Sequence, residues 1–552
     1  SVSGKYIRLI HENGEPVEEI AADSPQVQIA DETVTISLST DLKPLTNYHV
    51  LIDPGAFRHS ANDAHGGIQD PSAWNFMTAA DPDATWHFIG QSFTEGRADA
   101  PVLRAGDDGT LYVIFRDREN DRRATVMKRA RHDAEWSVVG EAGFSPGAIG
   151  APSLLVDGDV LYAAFAATGP DNQMAVHVMA FGLDGDEDEA WSPAGAPLPV
   201  GEYNPEYLSD QDSYPFLIKF NRAVHLAYRN GTASGPMSVK KLAGGEWVAV
   251  GDEAISEGDI YDPTLVVLNG TLYAGFTDYQ FAAGYGATVM KYDSAGGNWE
   301  RIGERGFTPD HVFDTTLVTD GKRLYVVYEY DGNGAHKASA MAYDADRDEW
   351  VPAGGDFSAG QAFDADAAGY QGGLYAVYRD SGSGNKLAVK KFAGGGWVSV
   401  GAASVTAGSA SDPSMIVHDG ILYVAFTDST GKLSVAKYSP YNRAPEALKA
   451  GIDGNPWIGR TVTGTYSYID DDGDAEGESL YQWYFADDAS GSNRQAIAGA
   501  TGTTFELTAD DAGKYLIFEV TPVAEQGVTP GATVAGAAFG PITREPPAAP
   551  SV

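Results

Sequence analysis

Asp262-Pro-Thr-Leu-Val-Val-Leu-Asn-Gly-Thr-Leu-Tyr-Ala-Gly-Phe276, followed by Val289-Met-Lys-Tyr292 and Trp299-Glu-Arg-Ile-Gly303, is the stretch on which the fold turns. Two apolar runs meet at Asn269-Gly270, the dipeptide of a tight hairpin. A third, alternating run follows, and a fourth begins at Trp299. Working outward, the same unit recurs. Trp stands at 86, 136, 191, 247, 299, 350 and 397, mostly as W-x-x-aliphatic-G. L-Y-x-x-[FY] stands at Leu111–Phe115, Leu161–Phe165, Leu272–Phe276, Leu324–Tyr328, Leu374–Tyr378 and Leu422–Phe426, with His225-Leu-Ala-Tyr228 as a degenerate copy. Val239-Lys-Lys-Leu242 and Val389-Lys-Lys-Phe392 repeat the third run.

Four short antiparallel strands per unit of about 50 residues is the period of a β-propeller blade. Seven copies predict seven blades over 84–439, with six or eight blades or a β-solenoid as the alternatives. The region opens on a Trp strand and closes on Lys437-Tyr438. The first Trp strand is therefore expected to complete the last blade, leaving no free sheet edge. The repeated Trp are expected to pack blade on blade; a lectin role is the alternative.

The flanks read differently. Residues 1–80 hold short strands at Tyr6–Ile10, Val27–Ile29, Val34–Leu38 and Tyr48–Ile52. Asp41-Leu-Lys-Pro-Leu-Thr-Asn-Tyr-His-Val-Leu-Ile-Asp-Pro-Gly-Ala-Phe57, then Gly66-Gly-Ile68 and Trp74-Asn-Phe-Met-Thr78, resembles the Ig-like domain of bacterial S-layer and other large surface proteins. That family starts with one or two further strands. The resemblance thus implies a first domain lacking its opening, with two readings: the opening has been cut away, or a missing strand is borrowed from another chain, which would be self-association. Residues 444–543, with Tyr481-Gln-Trp483 and Ala509-Asp-Asp-Ala-Gly-Lys-Tyr515, look like an Ig-like repeat of secreted multi-domain bacterial proteins. The Pro-rich stretch 544–552 reads as a linker. The fold class expected is all-β, a seven-bladed β-propeller between two Ig-like β-sandwiches. The resemblances imply an exported protein at the cell surface or cell wall.

Composition narrows the function. The 552 residues carry 37 Lys plus Arg against 77 Asp plus Glu, a formal charge of −40. Such a chain repels nucleic acid, which needs clustered cations. No apolar run reaches the 18 residues of a membrane span. The absence of Cys excludes disulfides and thiol catalysis.

Candidate site residues follow the repeat. Asp262, Asp314, Asp364 and Asp412 lie ten residues before each L-Y motif, where the first three blades have Ala100, Ala151 and Tyr214, with Asp99 and Asp212 close by. Asp117, Asn230, Asp278, Asp380 and Asp428 follow the L-Y strand, and Arg116, Arg229 and Arg379 precede three of them. Both sets are expected on one rim near the channel. They read either as turn caps repeated with the structure or as a ring that binds a glycan or cation. The arginines suggest carboxylate recognition, or surface ion pairs. Asp470, Asp472, Asp474 and Glu476 supply hard oxygens suited to Ca²⁺, or form a solvated loop, as 184–189 does. Eleven scattered His and no P-loop, HExxH or GxSxG motif leave no catalytic signature. The function expected is a non-catalytic scaffold or glycan-binding platform, partnered by polysaccharide or neighbouring surface modules. The alternative is an extracellular glycoside hydrolase or polysaccharide lyase with an Asp/Arg site on the propeller face.

Overall fold

The computed structural model describes the chain except residues 31–32, 41, 61–62, 72, 80–83, 132, 134, 169–172, 185–188, 203–214, 232–234, 282–283, 310, 333, 402–403, 441 and 547–552. Asp212, Tyr214, His132, most of the 184–189 acidic loop and the end of the Pro-rich stretch lie outside the described residues. Two compact units emerge, Ser1–Pro440 and Tyr441–Val552.

In the first unit, seven antiparallel sheets built on one four-strand plan succeed one another among the described residues, the second carrying an extra strand, Leu198–Glu202. Blade 4 is the type: Ile260–Leu268, Thr271–Phe281, Gly284–Asp293 and Asn298–Arg301, hydrogen-bonded in that order. Blades 5 and 6 begin with Val312–Thr319 and Ala362–Tyr370. In the last blade Ala410–His418, Ile421–Asp428 and Leu433–Tyr438 are completed by Trp86–Gly90, which pairs Trp86 with Tyr438. First strands of neighbouring blades touch around the ring, and Ala98–Ala105 meets Ala410–His418, so the ring closes. The L-Y strand is apolar almost throughout because blades cover both its faces: all six residues from Leu111 to Arg116 are buried.

The W-x-x-aliphatic-G motif is the mortar between blades. Trp299 Nε1 donates to the Val250 carbonyl at 2.6 Å, and Trp350 Nε1 to that of Ile302 at 3.3 Å. The glycine beside that carbonyl lies under the next indole. At Gly303, φ is +69° and a Cβ would sit 2.6 Å from Trp350 Cδ1, so only glycine fits. A second repeat locks the same seam. In Phe144-Ser-Pro-Gly147, Phe357-Ser-Ala-Gly360 and Val405-Thr-Ala-Gly408 the hydroxyl accepts a backbone N–H of the adjoining third strand, as Ser358 does from Ala338 at 3.0 Å. Phe144 stacks on Trp191 with centroids 4.2 Å apart, and Phe307 on Trp350 at 4.4 Å.

Preceding the ring, residues 1–79 fold as a sheet ordered Pro16–Ala21, Tyr6–His11, Asn47–Ile52, Asn75–Met77, around Ile7, Leu9, Ile20, Tyr48 and Val50. This module is fastened to blade 6 by Lys391, 1% exposed, which donates to Glu12 Oε1 at 2.9 Å and to the Leu45 carbonyl at 2.6 Å. The second unit has two sheets, one centred on Thr461–Ile469 and the other on Leu480–Ala486 and Tyr515–Thr521. Trp483 is fully buried against Phe518, with its Nε1 on the Gly502 carbonyl. Asp511 caps the corner before Tyr515 through Thr508. No helix of the described residues is long and apolar enough to cross a membrane.

Candidate active site on the propeller rim

The repeated Asp lies inside the first strand of its blade, not ahead of it as the sequence suggested. Asp262, Asp314, Asp364 and Asp412 each occupy a β-bulge, with φ between +45° and +57°. Ala100 holds the same place in blade 1, with φ +48°. Asp tolerates this left-handed conformation better than most residues. Its carboxylate also reaches the next blade: Asp262 Oδ2 accepts from Thr315 N at 3.2 Å, and Asp364 Oδ2 from Asp412 N at 3.5 Å. Two residues on, Thr264 and Ser414 staple neighbouring blades likewise, accepting from the N–H groups of Leu317 and Leu103. The repeat therefore has a structural job, and this rim is where it is done.

Blade 5 departs from the repeat. The bond that Asp314 would make to blade 6 is made by Glu329, on the adjacent strand, whose Oε1 accepts from Ala365 N at 2.6 Å. Asp314 is left without a hydrogen bond or ion pair among the described residues. Burial, then the carboxylates of Glu329, Asp262, Asp364 and Asp412, push the Asp314 carboxyl well above the usual carboxylate range. Burial also raises Asp262, Glu329 and Asp412. Next to this group, Asp364 is ion-paired to Arg379, with Nε at 2.7 Å.

Glu329, 1% exposed, also holds His336: its Oε2 lies 2.8 Å from Nε2, while Asp331 Oδ1 lies 3.0 Å from Nδ1. The bond to Glu329 raises the His336 pKa. The imidazole is stacked between Phe313 and Phe363, at 5.4 and 4.8 Å. Sequence reading did not single out Glu329 or His336. The available signal was that Glu329 stands where blades 4 and 7 have Thr277 and Thr427, and blades 1, 3 and 6 have Arg116, Arg229 and Arg379.

The other expected residues divide. Asp117, Asp380 and Asp428 cap their own turns, accepting from the backbone N–H groups of Glu119, Gly382 and Thr430. Asp278, 2% exposed, is engaged by Arg305, with Nε at 2.6 Å. Asp99 binds both Arg116 and Arg118. Arg229 is buried over the Tyr261 ring at 5.3 Å and offsets the charge of Asp262. Arg116 and Arg379 are spent on Asp99 and Asp364, and Arg229 lies beneath an aromatic ring.

In the second unit Asp470, Asp472 and Asp474 bring carboxylate oxygens within 4.8 Å of one another. Glu476 is turned to Ser479 and Tyr466 and does not join them. Asp470 Oδ1 accepts the Asp472 and Asp474 N–H groups, so this loop also orders itself.

Residues 447–536 match the family model of the AIR9 A9 domain, an Ig-type domain. No curated protein sequence matches the chain. Carbohydrate-active enzymes recur among the solved structures that it resembles. One is a PL25 ulvan lyase bound to -[GlcA(1-4)Rha3S]-, 13% identical over 62% of this chain and 94% of that one, with a TM-score of 0.43. A second is an α-L-arabinofuranosidase of Fusarium graminearum, 12% identical over 64% and 96%, with a TM-score of 0.35. A third is a thermostable family-43 glycoside hydrolase, 14% identical over 47% and 94%, with a TM-score of 0.30. None of these likenesses places a residue of this chain in a role.

Proposed function

We propose that the chain is a carbohydrate-active enzyme that hydrolyses glycosidic bonds on the propeller rim, with Asp314 as general acid and Asp364 as its carboxylate partner. The alternative drawn from sequence is thus preferred to the non-catalytic platform. The observation that carries it is the unpartnered Asp314 beside the ion-paired Asp364. Glycoside hydrolysis needs one carboxyl that keeps its proton and one that stays charged, and different surroundings set the two apart. Asp262 and Asp364 spend their carboxylates on the next blade, whereas blade 5 gives that bond to Glu329 and frees Asp314.

Eliminative cleavage of uronates is disfavoured by the same rim. Arg116 and Arg379 are engaged by Asp99 and Asp364, Arg229 is buried, and both nitrogens of His336 are held by carboxylates. The test is incubation with a panel of neutral polysaccharides, following reducing ends and the anomeric configuration of fresh product. Cleavage lost in Asp314→Asn supports the reading. Binding without cleavage returns the chain to the platform reading. An exported location for the chain and Ca²⁺ at Asp470, Asp472 and Asp474 remain proposals of the same kind. A melting temperature raised by Ca²⁺ in the wild type and unmoved in Asp472→Asn supports the second; no shift overturns it.

A further inference from the structure

The rim is asymmetric in a second way. Each bulge Asp of blades 4, 5 and 6 follows an aromatic residue, Tyr261, Phe313 and Phe363, where blade 7 has Ser411 and blade 1 has Asp99 in register. Ring and carboxylate share a rim, because single side chains reach both. Arg379 lies 4.8 Å from the Phe363 ring and binds Asp364. Arg229 covers Tyr261 and acts on Asp262. In blade 4 the aromatics gather. Tyr279 and Tyr285 have centroids 4.8 Å apart, and Tyr261 lies 6.0 and 6.2 Å from them. Tyr285 touches His311 at 5.3 Å and Phe313 at 6.3 Å. Tyr279 is 41% exposed, and His311 is exposed as well.

Such a group has two properties at once. It offers ring faces to the C–H surface of a sugar, and phenol hydroxyls and imidazole nitrogens to its hydroxyls. A core aromatic cluster would be buried on all sides, and this one is open at Tyr279 and His311. Tyr261 directly precedes Asp262 and Phe313 directly precedes Asp314, and Arg229, which lies over the Tyr261 ring, is itself buried, so this cation is not presented to an acidic sugar.

We propose that Tyr261, Tyr279, Tyr285 and His311 form a subsite that takes one unit of an uncharged polysaccharide and presents the adjoining bond to Asp314. This rests on the glycosidase reading for the second half of the statement only; the sugar-binding half stands by itself.

The experiment is calorimetric titration of full-length protein with neutral oligosaccharides (xylo-, arabino-, manno- and cello-series) and with oligogalacturonate as the anionic probe. It is run in Asp314→Asn, to stop turnover, with and without Tyr279→Ala. A neutral series should bind, and Tyr279→Ala should weaken it at least tenfold. Tyr279→Phe, which keeps the ring, should stay within about threefold and guards against a folding artefact. Unchanged binding in Tyr279→Ala, tighter binding of the anionic probe, or binding by no series overturns the subsite. The two readings separate cleanly. Cleavage by the wild type with no effect of Tyr279→Ala sinks the subsite and spares the hydrolase. Tyr279-dependent binding without wild-type cleavage does the reverse.

Discussion

Asp314 and Glu329 exchange duties, and the exchange sets what each does on titration. Asp314 has its folded pKa raised by burial and by four neighbouring carboxylates, so its ionisation is opposed by the fold. Stability it contributes is complete below the ordinary Asp range and is lost as pH rises through the raised value. Asp314→Asn should therefore melt higher than wild type at pH 7, by a few degrees, and no higher at pH 3, as calorimetry at the two pH values would show. The same substitution should lower kcat by about 10²–10⁴, the usual worth of a general acid, with KM little changed. On the proposed mechanism the alkaline limb of kcat/KM is assigned to loss of the Asp314 proton. It should lie above the ordinary carboxylate range and be absent from the residual activity of Asp314→Asn. His336 gives a second readout. Its raised pKa comes first from the Glu329 bond, so Glu329→Gln should bring the imidazole titration down, as NMR of the ring protons would record. That bond stabilises the fold fully below the unfolded His value near 6.5 and is lost as pH rises through the folded one.

At the level of the element, the blade is a strand unit held by a tryptophan, a glycine and a hydroxyl. Gly303→Ala combines a left-handed φ with a Cβ driven into Trp350. It should cost about 2–4 kcal/mol in denaturant unfolding of the full chain, from overpacking and backbone strain together. Much of this was legible beforehand. The L-Y strands, the Trp–Gly punctuation and the entry strand that completes the last blade could be read because each is a periodic signal tied to a steric need. The bulge was not legible. The bulge puts one extra residue on the first strand between paired positions, and every Asp-bearing copy carries it alike, so Asp-Pro looked like a lead-in to the strand instead of a kink within it. The [FIV]-[ST]-x-G seam was equally present in the sequence but is quieter than tryptophan. Glu329 and His336 escaped for the opposite reason: each occurs once, and a search for what repeats passes over what does not. The candidate site was thus half visible. Its Asp residues were found by periodicity, whereas the arrangement on which the proposal rests, Glu329 taking the bond of Asp314, follows no repeat.

Across the first unit as a whole, Lys391 couples a sandwich to a ring. A lysine so buried, paired with Glu12 and the Leu45 carbonyl, leaves a costly charge when its partner is removed. Glu12→Ala should lose about 3–5 kcal/mol of the coupling and make residues 1–79 the first site of limited proteolysis, with the blades cut later; simultaneous cutting of both would count against it.

Ring closure also puts a clock on the molecule. Ser92 N meets Ser434 Oγ across 342 residues of chain, beside the strand pairing of Trp86 with Tyr438. At synthesis rates of about 5–20 residues per second, the first strand waits roughly 20–70 s for its partner to exist. During that wait its edge is open to any extended segment that passes. The strand is only five residues long, Trp86–Gly90, which limits what a wrong partner can gain. The slow, non-local step comes last, and a ribosome that stalls within blade 7 releases a chain whose earlier blades are made but whose circle is open.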